Sequence, residues 1–252
     1  MSNVTAPEKR RRGKNDSRIG DELSFAAKEA FKRMRTNMVM SFPQEDTSCH
    51  TVGITSVQPE EGKSTIAVNL AYSLAELGKK VMLLDADMRR ASIHVKAEIE
   101  RSPGLYELLT GENDISACIR KYVNRNGDIS FDIIPGGSTA KNPSELLNSH
   151  RMTALLGKLN SAYDYIIIDL PPVGAVVDAV AVSGGLDGML VVIRENTCPQ
   201  NLLAECMSQL EYANVNILGF VVNGALEGSG KRYQYGKYGK YYGSSGYYNS
   251  YY

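Results

Sequence analysis

Residues 54–65 read Ile54-Thr55-Ser56-Val57-Gln58-Pro59-Glu60-Glu61-Gly62-Lys63-Ser64-Thr65, an apolar segment followed by a loop that ends in Gly-Lys-Ser-Thr. This order predicts a buried strand, a phosphate-binding loop and the first turn of a helix. Backbone N–H groups at such a helix start bind phosphate oxygens, a lysine neutralises them, and a hydroxyl reaches Mg²⁺. The residues predicted to bind a nucleotide are Pro59, Glu60, Glu61, Gly62, Lys63, Ser64 and Thr65. One departure from the usual motif is Val57, which takes the place of its first glycine.

Short apolar runs alternate with helical patterns along the rest of the chain. The candidate strands are residues 51–57, 80–85, 129–134, 165–169, 188–194 and 215–223, and the candidate helices are residues 63–77, 143–160 and 199–213. Several of these strands are continuously apolar, as is typical of a parallel sheet that is covered on both faces. We therefore predict an α/β fold of the P-loop NTPase type, with a doubly wound, mostly parallel sheet and ligands at the carboxyl ends of its strands.

The chain has 252 residues and is 43% hydrophobic, which is enough to bury one large core. We predict three parts: a disordered basic arm at residues 1–20, a folded domain at residues 21–227 and a tyrosine-rich tail at residues 228–252. The folded domain is predicted to begin with an amphipathic helix, from Asp21 to a point before Pro43, because apolar residues recur there at helical spacing.

The composition argues against several classes of protein. The formal net charge is zero, which gives no reason to expect a nucleic-acid partner. The four cysteines form no Cys-x-x-Cys pair and have no histidine at ligand spacing, so we predict reduced structural thiols and no zinc. No stretch of about 18 apolar residues occurs, so we expect a cytoplasmic protein without a membrane span of its own.

Three aspartates stand at the ends of two other predicted strands. Asp85 and Asp87 follow one strand, and Asp169 ends another. Carboxylates at strand ends beside a phosphate loop can hold Mg²⁺ and can accept a proton from a nucleophile. We predict Ser64, Asp85 and Asp169 as metal ligands. Asp85 or Asp87 is predicted to accept the proton, although a helix N-cap or a loop acid is the alternative for each aspartate taken singly.

The last twenty residues contain nine of the fifteen tyrosines of the chain. They are Tyr233, Tyr235, Tyr238, Tyr241, Tyr242, Tyr247, Tyr248, Tyr251 and Tyr252. Because this segment lacks Val, Ile and Leu and is rich in glycine, it cannot form a core element. Two interpretations remain open: an adhesive low-complexity tail, or a set of phenol hydroxyls that accept phosphoryl groups from the nucleotide site.

Together these motifs resemble the bacterial tyrosine kinases (BY-kinases) of capsule and exopolysaccharide systems, the CpsD/CapB family. Residues 52–64 are similar to the P-loop of that family, and residues 85–89 match its Asp-x-Asp-x-Arg motif. Asp169 matches its Walker B motif, and the tyrosine cluster matches its tail. The resemblance covers nearly the whole chain.

The resemblance implies a kinase that uses ATP and Mg²⁺ to phosphorylate its own tail tyrosines, in trans between subunits, and other proteins. It implies catalytic roles for Lys63, Asp85 and Asp87, and a function in regulating capsular or extracellular polysaccharide synthesis. Asn223 resembles the residue that contacts the nucleotide base in related P-loop ATPases, although a turn residue at a strand end is an equal alternative.

The resemblance also implies partners. Glu29, Lys32 and Arg35 occupy the Glu-x-x-Arg-x-x-Arg pattern of the family, which implies the subunit interface of a homo-oligomeric ring. Lys32 replaces the first arginine, and an exposed intrahelical salt bridge is the alternative. A separate kinase chain of this type is expected to be recruited to the inner face of the membrane by an adaptor protein, whose cytoplasmic segment activates it.

Two other functions stay open at this point. A partition-type P-loop ATPase would act as a switch without kinase activity, but such proteins carry a signature lysine where this chain has Gln58, and they lack a tyrosine tail. A non-enzymatic scaffold would use the nucleotide only to hold an oligomer together.

Overall fold

The computed structural model describes residues 18–43, 48–174 and 182–224, and the structural statements below refer to these residues. The tail tyrosines and most of the predicted basic arm lie outside them. The strands are β1 (His50–Ser56), β2 (Val81–Asp85), β3 (Arg120–Val123), β4 (Ser130–Ile134), β5 (Tyr165–Asp169), β6 (Gly188–Arg194) and β7 (Ile217–Asn223). They form one sheet in the order β3-β4-β2-β5-β1-β6-β7, in which only the β3–β4 pair is antiparallel. This arrangement confirms the predicted α/β fold with a mostly parallel sheet.

Helices connect the strands and lie on both faces of the sheet. They are α1 (Phe25–Met40), α2 (Lys63–Ala75), α3 (Ile93–Lys96), α4 (Leu105–Thr110), α5 (Ile115–Cys118), α6 (Pro143–Leu147), α7 (His150–Asn160) and α8 (Gln200–Tyr212), with short 3-10 turns at Gly20–Glu22 and Ser183–Gly185. None of the described helices combines the length and the apolar character that are needed to cross a membrane.

Two hydrophobic cores explain why the central strands are apolar throughout. Every residue of β1, β2 and β5 is buried. Side chains on one face, such as Leu83, pack against α2, and those on the other face, such as Leu84, share a core with α7 and α8. Because both faces are covered, alternation between apolar and polar residues is lost in these strands.

The structure corrects two of the predicted helices and adds one strand. The helix predicted at residues 143–160 is two helices, because Ser149 accepts a hydrogen bond from Met152 N at 3.3 Å and caps a new helix start. The first long helix begins at Phe25 rather than Asp21, since Ser24 caps it in the same way. The edge strand β3 was not predicted, because its alternating exposed and half-buried residues include charged side chains.

The residues before α1 are packed against α2. Ile19 and Gly20 are buried. Gly20 N donates to Asn69 Oδ1 at 2.9 Å, and Tyr72 Oη donates to Asp21 Oδ2 at 2.8 Å. The folded body therefore begins before residue 21, the boundary that the sequence suggested.

Glu107 on α4 organises the loop that follows β4. Its carboxylate accepts hydrogen bonds from Gly104 N (2.7 Å), Ser102 Oγ (2.7 Å), Ser138 N (3.0 Å) and Ser138 Oγ (2.6 Å). Burial alone would raise the pKa of Glu107, but these hydrogen bonds outweigh it and lower the pKa to about 2. The loop passes close to the end of β2, where a side chain on Gly136 would clash with Ala91 and contact Asp85.

We expect Glu107→Gln to lower the free energy of unfolding by about 2 kcal/mol at neutral pH, because an ionised acceptor of several hydrogen bonds is lost. A carboxyl group whose pKa is lowered on folding stabilises the fold above its unfolded pKa, and this contribution is lost as the pH falls towards the folded value. Urea unfolding at neutral pH and at about pH 3 measures both effects. The difference in the free energy of unfolding between wild type and Glu107→Gln should shrink in acid. The control Glu112→Gln, at an exposed position, should match wild type at both pH values. A difference that is independent of pH would contradict this account.

Candidate active site

The phosphate loop runs from the end of β1 to Lys63, the first residue of α2. Gly62 has the left-handed conformation (φ 98°), and the Asn223 side chain fills the space that a side chain at this position would need. Both features require glycine here. Val57 is buried in the core, and its carbonyl oxygen accepts a hydrogen bond from Gly174 N at 3.2 Å. A valine therefore fits where the usual motif has its first glycine.

Lys63 lies at the centre of the candidate site. Its Nζ is 2.8 Å from Asp87 Oδ2 and 3.2 Å from Asp169 Oδ1. It also donates to Ser64 Oγ at 3.3 Å. All four side chains are buried. The structure thus brings the lysine and the hydroxyl of the loop together with two of the three aspartates singled out from the sequence.

Asp85 completes this group. The register of β2 and β5 places Asp85 directly beside Asp169. Its Oδ2 accepts hydrogen bonds from Ser92 N and Ile93 N, both at 3.0 Å. Its Oδ1 is buried and has no hydrogen-bond partner among the described residues. The backbone that follows β2 thus fixes one oxygen of Asp85 and leaves the other available.

The electrostatics of the group follow from burial and proximity. Burial raises the pKa of Asp85 above its ordinary value, and Asp169 raises it further. Burial also raises the pKa of Asp169, against the lowering effect of Lys63. For Lys63, burial opposes the positive charge, but Asp169 and Asp87 outweigh it and raise the pKa. With one cation for three carboxylates, the group is stabilised by any further cation or proton that joins it.

The arrangement fits Mg²⁺. Asp85 Oδ1 and Asp169 Oδ2 are buried oxygens without hydrogen-bond partners in the described part of the chain. Mg²⁺ binds through one or two carboxylates and takes its other ligands from substrate phosphates and water. No group of three or more His, Cys, Asp or Glu within the described ranges is arranged to hold a metal by itself. A bound ion would therefore depend on phosphate oxygens and on the nearby Ser64 hydroxyl.

Two residues at the ends of the neighbouring strands contact the phosphate loop. Asn223 Nδ2 donates to Glu61 O at 2.8 Å, and Arg194 Nη1 donates to Glu60 O at 3.3 Å. The role of Asn223 in contacting a nucleotide base stays a prediction, since its side chain here binds the loop. Arg194 was not singled out from the sequence. In the sequence, its position at the end of a predicted strand is the one feature that could have pointed to the site. The carboxyl ends of the strands meet there in this fold.

The three residues of the predicted subunit interface have partners within the chain. Lys32 Nζ pairs with Glu29 Oε1 at 3.0 Å, which is the intrahelical salt bridge considered as the alternative. Arg35 donates to Ser73 O and, at 3.1 Å, to Ser73 Oγ, and it pairs with Glu76 Oε2 at 3.3 Å. These contacts tie α1 to α2. A role for Glu29, Lys32 and Arg35 in subunit contacts stays a prediction.

We expect Lys63→Met to lower the free energy of unfolding by roughly 3 kcal/mol at neutral pH without ligands, because breaking a buried ion pair leaves its carboxylates uncompensated. The deficit should grow as the pH rises. Carboxyl groups whose pKa is raised on folding bind protons in place of the lost cation at lower pH, and that compensation disappears as the pH passes through their folded pKa values.

Denaturant unfolding between about pH 6 and about pH 8 measures this trend. Lys79→Met is the matched control, since Lys79 is exposed. The account is contradicted if the Lys63→Met deficit is constant over this range or no larger than that of Lys79→Met.

Known proteins match this chain over most of its length. The AAA_31 family model, described as an AAA domain, matches residues 52–212. The tyrosine-protein kinase YwqD of Bacillus subtilis (strain 168) is 34% identical over 211 residues, which are 84% of this chain and 86% of YwqD. The tyrosine-protein kinase Etk of Escherichia coli (strain K12) is 34% identical over 234 residues, which are 92% of this chain and 31% of Etk.

The chain is also similar to a solved structure of a tyrosine kinase domain. The kinase domain of Escherichia coli tyrosine kinase ETK superposes with a TM-score of 0.73 at 32% identity, covering 83% of this chain and 80% of that domain. The chain spans only 29% of the length of the first curated relatives that it matches. Identity above 30% over most of YwqD, together with this superposition, shows that the chain belongs to the family of bacterial tyrosine-protein kinases.

Proposed function

We propose that the chain is an ATP-dependent protein-tyrosine kinase that transfers the γ-phosphoryl group to tyrosine hydroxyls. One observation carries the proposal: Lys63, directly after the phosphate loop, lies within ion-pair distance of Asp87 and Asp169 at the carboxyl edge of the sheet. A lysine and carboxylates in such a place can stabilise a transferring phosphoryl group, hold a metal ion and take up a proton. Membership in the family favours tyrosine as the acceptor.

Lys63 has two sets of partners in the proposed reaction. One set is seen in the structure, where its ammonium group pairs with Asp87 and Asp169. The phosphates of ATP compete for this ammonium group as multiply charged acceptors. Lys63 then stabilises the negative charge of the transferring group together with the backbone amides of residues 62–65. Its departure from the carboxylates frees Asp87 Oδ2.

A base must take the proton of the tyrosine as the new P–O bond forms, because a free phenol has a pKa of about 10. We assign this task to Asp87. It is 4% exposed, whereas Asp85 is fully enclosed. Its Oδ1 is held by Arg90 N at 3.0 Å, so the oxygen that Lys63 releases is oriented. Bound Mg²⁺ would neutralise charge on the phosphates, and Ser64, Asp85 and Asp169 are the residues proposed to hold it.

The proposed acceptors are the nine tail tyrosines of neighbouring subunits and tyrosines of other proteins. Family resemblance supports a ring of identical subunits and an adaptor whose cytoplasmic segment recruits the chain to the inner face of the membrane and activates it. The same resemblance supports a function in regulating capsular or extracellular polysaccharide synthesis. These partners and this pathway belong to the proposal.

The kinase proposal is tested with γ-labelled ATP and Mg²⁺, with and without the cytoplasmic segment of an adaptor. We expect labelled phosphotyrosine on the tail, and we expect its loss in Lys63→Met and in a tail with all nine tyrosines changed to phenylalanine. Lys79→Met should label like wild type. Hydrolysis of ATP without phosphotyrosine would instead indicate a partition-type switch, and nucleotide binding without either reaction would indicate a scaffold.

The charge of the tail suggests that phosphorylation weakens self-association. After Glu227 the tail contains Lys231, Arg232, Lys237 and Lys240 and no acidic residue. Each phosphate adds about −1.5 to −2 charge, so about three phosphates reverse the sign of the tail. A tail with several Tyr→Glu changes should self-associate more weakly than a Tyr→Phe tail in analytical ultracentrifugation at equal concentration. Equal association of the two tails would refute this idea.

A further inference from the structure

Glu61 is a buried carboxylate within a loop that is predicted to bind anions. Its side chain is shielded from solvent, with 2% of the residue exposed. Oε2 accepts a hydrogen bond from Gln58 N at 2.9 Å, and Oε1 accepts one from Arg194 N at 3.4 Å. The carboxylate therefore joins the beginning of the phosphate loop to the end of β6.

The backbone around Glu61 is held in an unusual conformation. Its two neighbours are both left-handed, Glu60 with φ 66° and Gly62 with φ 98°. A residue other than glycine is strained in this conformation, so surrounding contacts have to maintain it. Arg194 Nη1 donates to Glu60 O, and Asn223 Nδ2 donates to Glu61 O. With the two bonds of the carboxylate, the loop is thus tied to the ends of both β6 and β7.

Charge alone gives Glu61 no favourable role in binding phosphates. A carboxylate near the phosphates of a nucleotide repels them, and burying it is unfavourable unless hydrogen bonds compensate. The two N–H groups that it binds supply that compensation. The contribution of Glu61 is therefore to the shape of the loop, which sets the direction of the N–H groups that follow it.

We propose that Glu61 is a positioning residue for the phosphate-binding amides of residues 62–65. Its carboxylate holds the N–H groups of Gln58 and Arg194 and so keeps the loop in the shape that receives the β-phosphate. The side chain makes no contact with the nucleotide in this role. The inference rests on the nucleotide binding that is part of the proposed function, and it does not depend on phosphoryl transfer to tyrosine.

Glu61→Gln distinguishes a positioning role from a purely electrostatic one, because the two roles predict opposite changes in nucleotide affinity. Removing a negative charge near the phosphates would tighten nucleotide binding by Coulomb's law. Loss of positioning would weaken it, because the amide keeps one acceptor oxygen and turns an NH₂ group towards one of the two N–H donors. The near-identical size of the two side chains keeps the packing of the loop comparable.

The experiment is isothermal titration of the full chain with ADP and with AMP, both with Mg²⁺. The amides of the phosphate loop bind the α- and β-phosphates, and AMP lacks the second of these, so a positioning role changes the ratio of the two dissociation constants. We expect ADP binding to be about tenfold weaker in Glu61→Gln and weaker still in Glu61→Ala, with a smaller loss for AMP. Glu211→Gln, which removes a carboxylate from the exposed end of α8, should bind both nucleotides like wild type.

Three results would overturn the inference. The first is ADP binding in Glu61→Gln that equals or exceeds that of wild type. The second is an equal loss for ADP and AMP, which would indicate a general loss of folded protein. The third is a wild-type chain that binds no ADP, which would overturn the proposed nucleotide function as well. A chain that binds ADP with the expected ratios but forms no phosphotyrosine would contradict the kinase proposal and leave the role of Glu61 supported.

Discussion

A single ammonium group among buried carboxylates is the interaction on which this molecule depends. Lys63 belongs to the start of α2, whereas Asp87 follows β2 and Asp169 ends β5. Asp85, Asp87 and Asp169 would repel one another in the same small volume, since two of them are direct neighbours in the register of the sheet. Lys63 offsets that repulsion, so the loop that ends β1 and the carboxyl ends of β2 and β5 stabilise one another.

The carboxylates around Lys63 are incompletely compensated by the residues that the structure describes. Asp85 Oδ1 and Asp169 Oδ2 lack hydrogen-bond partners among the described residues, and the pKa values of both carboxyl groups are raised, chiefly by burial. Buried groups whose pKa values are shifted in this way occur preferentially at sites that perform chemistry. In the proposed reaction, Asp85 and Asp169 would hold a metal ion that neutralises this charge, and Lys63 turns to the phosphates and releases Asp87. The uncompensated charge of these carboxylates is therefore the feature that is proposed to favour binding of the substrate and its metal ion.

Much of the fold could be predicted from the sequence because its signals are local. The continuous apolar runs of β5 and β6 gave their bounds directly, and strand ends predicted which aspartates would meet. The break at Asn148 and Ser149 was missed, because helical spacing of apolar residues continues across it and only the cap of Ser149 interrupts the helix. The inward orientation of Glu61 was out of reach for another reason. It depends on a contact with Arg194, which is 133 residues away in the sequence.

In the proposed reaction, Lys63 exchanges its carboxylate partners for phosphates when the nucleotide binds. A crystal structure of the chain with Mg²⁺ and a non-hydrolysable ATP analogue tests it most directly. We expect Lys63 Nζ to hydrogen-bond to a phosphate oxygen and no longer to Asp87, with the metal ion beside Ser64 and Asp169. A nucleotide-bound structure in which Lys63 keeps both carboxylate partners, at 2.8 Å from Asp87 and 3.2 Å from Asp169, would contradict this exchange.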